Sequence, residues 1–264
     1  MKIFGIIPAR MASTRFPNKP MAKILGIPMI GHVYYRCKMC TKLSEVWVAT
    51  CDQEIYDYIR AIGGRVVMTA STHERASDRT AEAMLKIEEE TGQNIDAAVM
   101  VQGDEPMLVP EMIDELTMPL NADPQPAVVN LIERIESNEE FNSPNIVKVV
   151  IDKNDNILYY SREPIPSTKK FKGEVPMWKQ LGIILFKRQA LLDYSKTTPT
   201  PLEIIESVDM NRFIECGVKI KSVATNCKTF GVDTERDLLH VEALMNRDEL
   251  VCKYIETYRD GDVC

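Results

Sequence analysis

Along the first hundred positions, apolar residues fall in short runs of strand length separated by stretches with helical spacing. Residues 2–7 hold the run Ile3-Phe4-Gly5-Ile6-Ile7. Glu45-Val46-Trp47-Val48-Ala49-Thr50, Arg65 to Met68 and Ala97-Ala98-Val99-Met100-Val101 follow as further strands. Between them Met29 to Cys40, Gln53 to Ile62 and Asp78 to Glu90 read as helices, the second closed by Gly63-Gly64 and the third by Gly92. Glycine just past a helix supplies the left-handed residue that ends it. Strands alternating with helices predict βαβ units and a mostly parallel α/β sheet. Ligands bind such sheets at the carboxyl ends of the strands, so the residues directly after each run are where chemistry is expected.

From about Pro126 the pattern changes to strands with tight polar turns. Ala127 to Arg134, Val147 to Asp152, Ile157 to Ser161 and Trp178 to Phe186 are predicted strands, with Asp155-Asn156 as a turn. Pro164 to Pro176 is rich in proline and lysine with little periodicity, and reads as a loop or arm. Leu202 to Glu215 is expected as one helix closed by Gly217, Val218 to Ala224 as a strand, and Glu235 to the tail as a final long helix. The expectation is a single domain over 1–264 with an inserted arm at about 126–186.

Composition narrows the function. With 264 residues, 45% apolar and 27% charged, the chain is of ordinary globular type and can bury a sizeable core. Its 39 acidic and 32 basic residues give a net charge of −7, which argues against nucleic acid as a partner, because phosphate backbones are bound by excess Lys and Arg. The five-residue apolar start is too short for a signal peptide or a membrane span. Seven cysteines, an odd count, fit a reducing compartment, and the cytoplasm is the expected location. Cys37 and Cys40 form a lone C-x-x-C, read as two core residues rather than a zinc pair.

Candidate chemistry begins at the end of the first strand. Pro8-Ala9-Arg10-Met11-Ala12-Ser13-Thr14-Arg15-Phe16-Pro17-Asn18-Lys19-Pro20 combines small residues with three spaced cations. Arg10 and Arg15 can hold phosphate oxygens bidentately and Lys19 can act as a point charge, while Ser13 and the backbone N–H groups around Ala12 and Thr14 add neutral donors. The string is neither a Walker A loop nor a dinucleotide fingerprint. Further on, Gln102-Gly103-Asp104-Glu105-Pro106 places an aspartate just after a glycine at a strand end, and Phe230-Gly231-Val232-Asp233-Thr234 repeats the pattern with one apolar residue between glycine and aspartate. Either aspartate alone could make an Asx turn. Together they offer two carboxylates of the kind Mg²⁺ takes when it also binds nucleotide oxygens.

These segments resemble the CMP-sugar synthetases, most closely the 3-deoxy-manno-octulosonate cytidylyltransferases, whose signature PAR-x-x-S-T-R-x-P-x-K-P is matched from Pro8 to Pro20. The resemblance runs from Lys2 to about Leu239. It implies a mostly parallel, Rossmann-like nucleotidyltransferase sheet with helices on both faces, CTP and an acidic sugar as substrates, Mg²⁺ as cofactor, a homodimer, and a product used in lipopolysaccharide biosynthesis. In the family V-Q-G-D-E-P and G-V-D-T-x-x-D-L are the metal-binding elements, which assigns Asp104 and Asp233. Lys19 and Arg15 join them as catalytic candidates, and Ala9, Arg10 and Ser13 as nucleotide-binding ones.

The stretch His73-Glu74-Arg75-Ala76-Ser77-Asp78-Arg79 resembles the element near the cytosine, with Ser77 and Arg79 as nucleotide-binding candidates. It departs from the family pattern at Arg75, Ala76 and Ser77. Ser77 or Asp78 is also expected to cap the following helix. On the acceptor side Gln102 and Arg162 are implied as sugar-binding, with Arg162 facing the sugar carboxylate. Gln180, Asp209 and Met210 stand where the family carries His, Glu and Gln, so the hydroxyl readout is expected to differ. Transfer of CMP to a different acid sugar, an amino relative or a nonulosonate, stays open beside the main reading. So does a CTP-binding regulatory module without catalysis.

Overall fold

The structure is a computed structural model that describes residues 1–12 and 16–261, with side chains to residue 255. Ser13 and Arg15 lie outside the described residues. The chain divides into two compact units, residues 1–113 with 229–264, and residues 114–228.

In the first unit β1 (Ile3–Ala9) is followed by a small hairpin, β2 (Lys23–Ile24) and β3 (Ile27–Pro28). Then come α1 (Met29–Lys38), β4 (Glu45–Thr50), α2 (Gln53–Ala61), β5 (Val66–Met68), α3 (Ala76–Thr91) and β6 (Ala97–Val101). The strands stand in the order β5-β4-β1-β6, and β1 pairs in parallel with both β4 and β6. Every residue of β1 and β6 is buried, as parallel strands covered on both faces require. Phe4, Ile6 and Ile7 are wholly buried, each contributing about 1.5–3 kcal/mol of burial. Right-handed crossovers put α1 and α2 on one face, and α3, which returns over two strands, on the other.

The second unit begins within α4 (Pro110–Thr117). It contains β7 (Val128–Arg134), α5 (Asn138–Asn142), β8 (Lys148–Ile151), β9 (Asn156–Ser161), β10 (Trp178–Lys187), α6 (Arg188–Lys196), α7 (Pro201–Glu206), α8 (Met210–Glu215) and β11 (Ile220–Thr225). Its strands stand in the order β10-β7-β11-β9-β8, and β8 pairs again with β10. Only β7 and β11 pair in parallel. A five-stranded ring of pairings is more than an arm: the segment expected at about 126–186 supplies four of its strands. Opposite a bulge between Gln180 and Ile184, the buried Asn130 donates to the carbonyls of Leu181 and Ile183 and accepts from Tyr160 Oη at 2.8 Å. That amide satisfies ladder groups the bulge leaves over.

The helix expected from Leu202 to Glu215 is two. Ser207 takes a left-handed conformation, φ 52°, which ends α7, and α8 starts afresh at Met210. The final helix is likewise two, α9 (Glu235–Met245) and α10 (Glu249–Gly261), and both belong to the first unit. They bury Val241, Met245, Val251 and Tyr254 against Phe16, the β2–β3 hairpin and Met29. Glu242 accepts from Leu25 N at 2.8 Å in the hairpin turn.

Under this contact His32, on α1, is fully buried. Its Nε2 lies 2.7 Å from the carbonyl of Ile24, which only accepts, so Nε2 carries the proton and Nδ1 accepts from Tyr254 Oη at 2.7 Å. Desolvation, helped by nearby Arg36 and opposed by the Ile24 carbonyl, lowers the His32 pKa to about 4. Among the described residues no helix is long and apolar enough to cross a membrane.

Candidate active site

The carboxyl ends of β1 and β6, and the segment entering α9, carry the charged residues singled out in the sequence. Gly103 follows β6 where a Cβ would come within 3.2 Å of the Pro8 carbonyl and 3.4 Å of the Ala9 Cβ. A side chain here would force the Pro8 carbonyl, Ile30 or Ala9 to give by a few tenths of an ångström, so glycine suits this close approach. Asp104, next in the chain, accepts at its backbone carbonyl from Val232 N at 3.0 Å, which ties the two aspartate segments together. Thr234 and Asp237 form a capping box that starts α9 and fixes Asp233 directly before it.

Lys19 closes the arrangement. It opens a short 3-10 turn (Lys19–Met21) after Asn18, whose φ is 58°. Its Nζ reaches Asp104 Oδ2 at 2.7 Å and Asp233 Oδ1 at 3.2 Å. Burial acts to lower the Lys19 pKa, but the charges and hydrogen bonds of Asp104 and Asp233 outweigh it and the pKa is raised. One ammonium thus holds two carboxylates at one locus. Among the described residues no group of three or more His, Cys, Asp or Glu is placed to hold a metal. Two carboxylates still fit a hard divalent cation that draws its remaining oxygens from phosphate and water.

Arg10, directly after β1, donates from Nη1 to the carbonyl of His73 at 3.2 Å. Asp52, just past β4, accepts from Met11 N at 2.8 Å and so holds the start of the segment that follows β1. Asp52 was not among the sequence candidates, although an aspartate two residues past a strand end was the available signal. Residues 69–73, which leave β5, are fixed from α3. Arg79 donates to Thr69 Oγ1 and the Ala70 carbonyl. Glu82 accepts from Ala70 N at 2.9 Å and from His73 Nε2 at 2.5 Å. Desolvation would raise the Glu82 pKa, but hydrogen bonds from Lys86, Ala70 N–H and His73 overcome it and bring it to about 2. The helix α3 begins at Ala76 with Arg75 as its N-cap, so neither Ser77 nor Asp78 caps it; Ser77 is wholly buried in the first turn. Gln102 and Ala9 sit at the ends of β6 and β1, Gln102 half-buried and Ala9 buried.

The acceptor candidates other than Gln102 lie in the second unit, and Met210 departs from expectation. Each nitrogen of the Arg162 guanidinium donates to a backbone carbonyl: Nε to Glu206 at 2.8 Å, Nη1 to Pro144 at 3.0 Å and Nη2 to Ser207 at 3.3 Å. The Arg162 guanidinium thus clasps the end of α7, with its Nη1 and Nη2 bonds on the exposed side. Glu206 completes the clasp by accepting from Tyr159 Oη, Ser161 Oγ and Arg162 N. Met210 is fully buried at the start of α8, which makes it a core side chain and not a wall open to a sugar. Gln180 is half-buried on β10, and Asp209 is nearly buried as the N-cap of α8.

A parallel sheet that gathers cations and paired carboxylates at the ends of β1 and β6 and at the segment entering α9 fits an α/β nucleotidyltransferase. The fold alone is shared with 4-diphosphocytidyl-2C-methyl-D-erythritol synthase from Anaerococcus prevotii, 13% identical with a TM-score of 0.60 over 93% of this chain and 99% of that one. The family model described as Cytidylyltransferase matches residues 4–220, and the chain belongs to that family. It is 42% identical to the 3-deoxy-manno-octulosonate cytidylyltransferase of Geobacter metallireducens, over 95% of this chain and all of that protein. A structure of CMP:2-keto-3-deoxy-manno-octonic acid synthetase complexed with CTP matches with a TM-score of 0.85 at 36% identity, covering 94% of this chain and 99% of that one.

Proposed function

We propose that this chain transfers CMP from CTP to the hydroxyl of 3-deoxy-manno-octulosonate, releasing pyrophosphate. The convergence of Lys19, Asp104 and Asp233 carries the reading, and the cytidylyltransferase relatives support its substrates. The sugar oxygen attacks the α-phosphorus and the β- and γ-phosphates leave. Such chemistry depends on positioning and on stabilising charge, more than on a covalent protein intermediate. Lys19, with Arg10 and Arg15 of the same loop, stabilises the charge of the triphosphate and of the departing pyrophosphate. Ser13, Ala9, Ser77 and Arg79 belong to the nucleotide side of the proposal, and Gln102, Arg162, Gln180 and Asp209 to the sugar side. Asp104 and Asp233 would hold Mg²⁺, which when bound neutralises phosphate oxygens and eases ionisation of the attacking hydroxyl. No general base is assigned among the side chains.

The proposed working form is a homodimer that uses the segment Pro164 to Trp178, where Phe171 is 64% exposed. Two-fold dimers are the commonest oligomers. Sedimentation at micromolar concentration checks it, and a 30 kDa species alone would exclude it. The six cysteines among the described residues are free thiols, which supports the cytoplasm as its compartment. The deciding experiment is pyrophosphate release from CTP and Mg²⁺ with a panel of acid sugars. Turnover with 3-deoxy-manno-octulosonate is the expected result. CTP binding without release for any sugar would favour a regulatory module, and a better rate with an amino or nonulosonate relative would move the acceptor.

A further inference from the structure

Residues 69–73 have no regular structure of their own, yet they stand at the carboxyl end of β5, where a nucleotide would lie. Three side chains hold them. Thr69 N–H reaches Thr50 O at 2.8 Å, but the next residues depend on α3 and on the end of β1. Arg79 grips Thr69 and Ala70, and Arg10 binds the carbonyl of His73. Glu82 sits at the centre, since one of its oxygens accepts from both the Ala70 N–H and His73 Nε2 while the other accepts from Lys86 Nζ at 2.8 Å. The His73 side chain and His73 carbonyl are thereby linked in one chain, Glu82 to His73 to Arg10, from helix to phosphate loop. Arg79 Nη2 is buried without a hydrogen-bond partner, a donor in the same cluster that the protein leaves unused.

We propose that Glu82 is a positioning residue for the nucleotide: by fixing Ala70 and His73 it sets the loop beside the base and, through the His73 carbonyl, the direction of the Arg10 guanidinium. Glu82 does not touch the reacting atoms. It acts before chemistry, by presenting a preformed site, so its removal is felt in nucleotide affinity and not in the bond-making step. The inference rests on the CTP reading of the site, but not on the identity of the sugar.

Glu82→Gln tests it, because glutamine keeps the size while removing the charge and half of the accepting capacity. Charge-assisted hydrogen bonds of this kind change binding by roughly tenfold or more when one partner is lost. The expected result is a tenfold rise in KM for CTP, matched by the same loss of CTP affinity in calorimetry, with kcat and the KM for sugar within about twofold. An unchanged CTP affinity, or CTP and sugar KM values rising together, overturns the proposal. Amide hydrogen exchange at Ala70 in the ligand-free enzyme gives an independent reading: protection in the native protein that is lost in the variant is required, and equal protection in both refutes the hold itself. Should the native enzyme bind CTP but fail to turn over any sugar, the proposed reaction falls while the calorimetric and exchange results still decide the role of Glu82.

Discussion

The two units use their buried charge in opposite ways. In the first, Lys19 holds two carboxylates that remain 28% and 30% exposed, so cation and anions meet at a place a ligand can enter. In the second, Arg212 and Glu203 form a bidentate pair at 2.6 Å for each bond, with side chains 3% and 0% exposed, and the guanidinium stacks 4.0 Å over Tyr194. Open charge that is held by a small number of contacts is suited to exchange for substrate and metal. Closed charge with each group satisfied serves to fix one packing, here α7 against α8.

The largest effect should follow from breaking the closed pair. Glu203→Leu leaves the Arg212 charge buried without its carboxylate, and removes the acceptor of the Thr200 capping box. Loss of one partner of a buried pair costs about 3–5 kcal/mol. Denaturant unfolding of the variant should show that loss, and a change below about 1 kcal/mol would mean the pair is no clamp.

Next in size is a pH effect in the first unit. His32 has a folded pKa of about 4 against 6.5 unfolded, so the unfolded chain binds the extra proton between these values. The stability it protects is complete above pH 6.5 and declines as pH falls toward 4, by about 3 kcal/mol over the window. Glu82, with a folded pKa of about 2, loses its contribution only below the ordinary glutamate range, so the two effects separate. His32→Gln should flatten the slope between pH 6.5 and 4 in unfolding experiments. An unaltered slope would assign it to other groups.

The open trio should respond in rate rather than stability. Asp104→Asn and Asp233→Asn are each expected to lower kcat at least about a hundredfold, near 2.7 kcal/mol in the barrier, at saturating Mg²⁺. Both variants should fold, since the carboxylates are partly exposed and lie at strand and helix ends. A near-normal rate for either one removes it from the reaction.

The same contrast explains what could be read from sequence. Asp104 was legible because a glycine, an aspartate and a strand end are local features; Asp233, also expected at a strand tip, follows eight residues after β11 and is marked instead by the capping box after it, a local motif. The split of the expected helix at Ser207 was not, since serine in a left-handed conformation has no strong signature and the apolar spacing runs on through it. Arg162 was recognisable as an arginine in a family motif, yet its partners are carbonyls, which carry no residue identity. Glu82 and Asp52 escaped notice for the same reason: each acts on backbone N–H groups brought near by the fold.

The smallest effect expected is also the one that most sharpens the comparison. From sequence, Met210 replaces a polar residue on the sugar side, which pointed to a changed hydroxyl readout. In the structure it is fully buried in the closed unit, two residues from Arg212, where an apolar side chain needs no hydrogen-bonding partner. Met210→Leu conserves volume and should cost less than about 1.5 kcal/mol of stability. With no surface open to a ligand it should leave the KM for 3-deoxy-manno-octulosonate within about twofold, the scale of a substitution that touches no substrate. Gln180→Ala is the contrasting variant, because Gln180 keeps partial exposure and a hydrogen-bonding side chain whose loss is felt by a polar substrate as a far larger change. A sugar KM that moves with Met210 and not with Gln180 would reverse the assignment, and would return the core of α8 to the acceptor site.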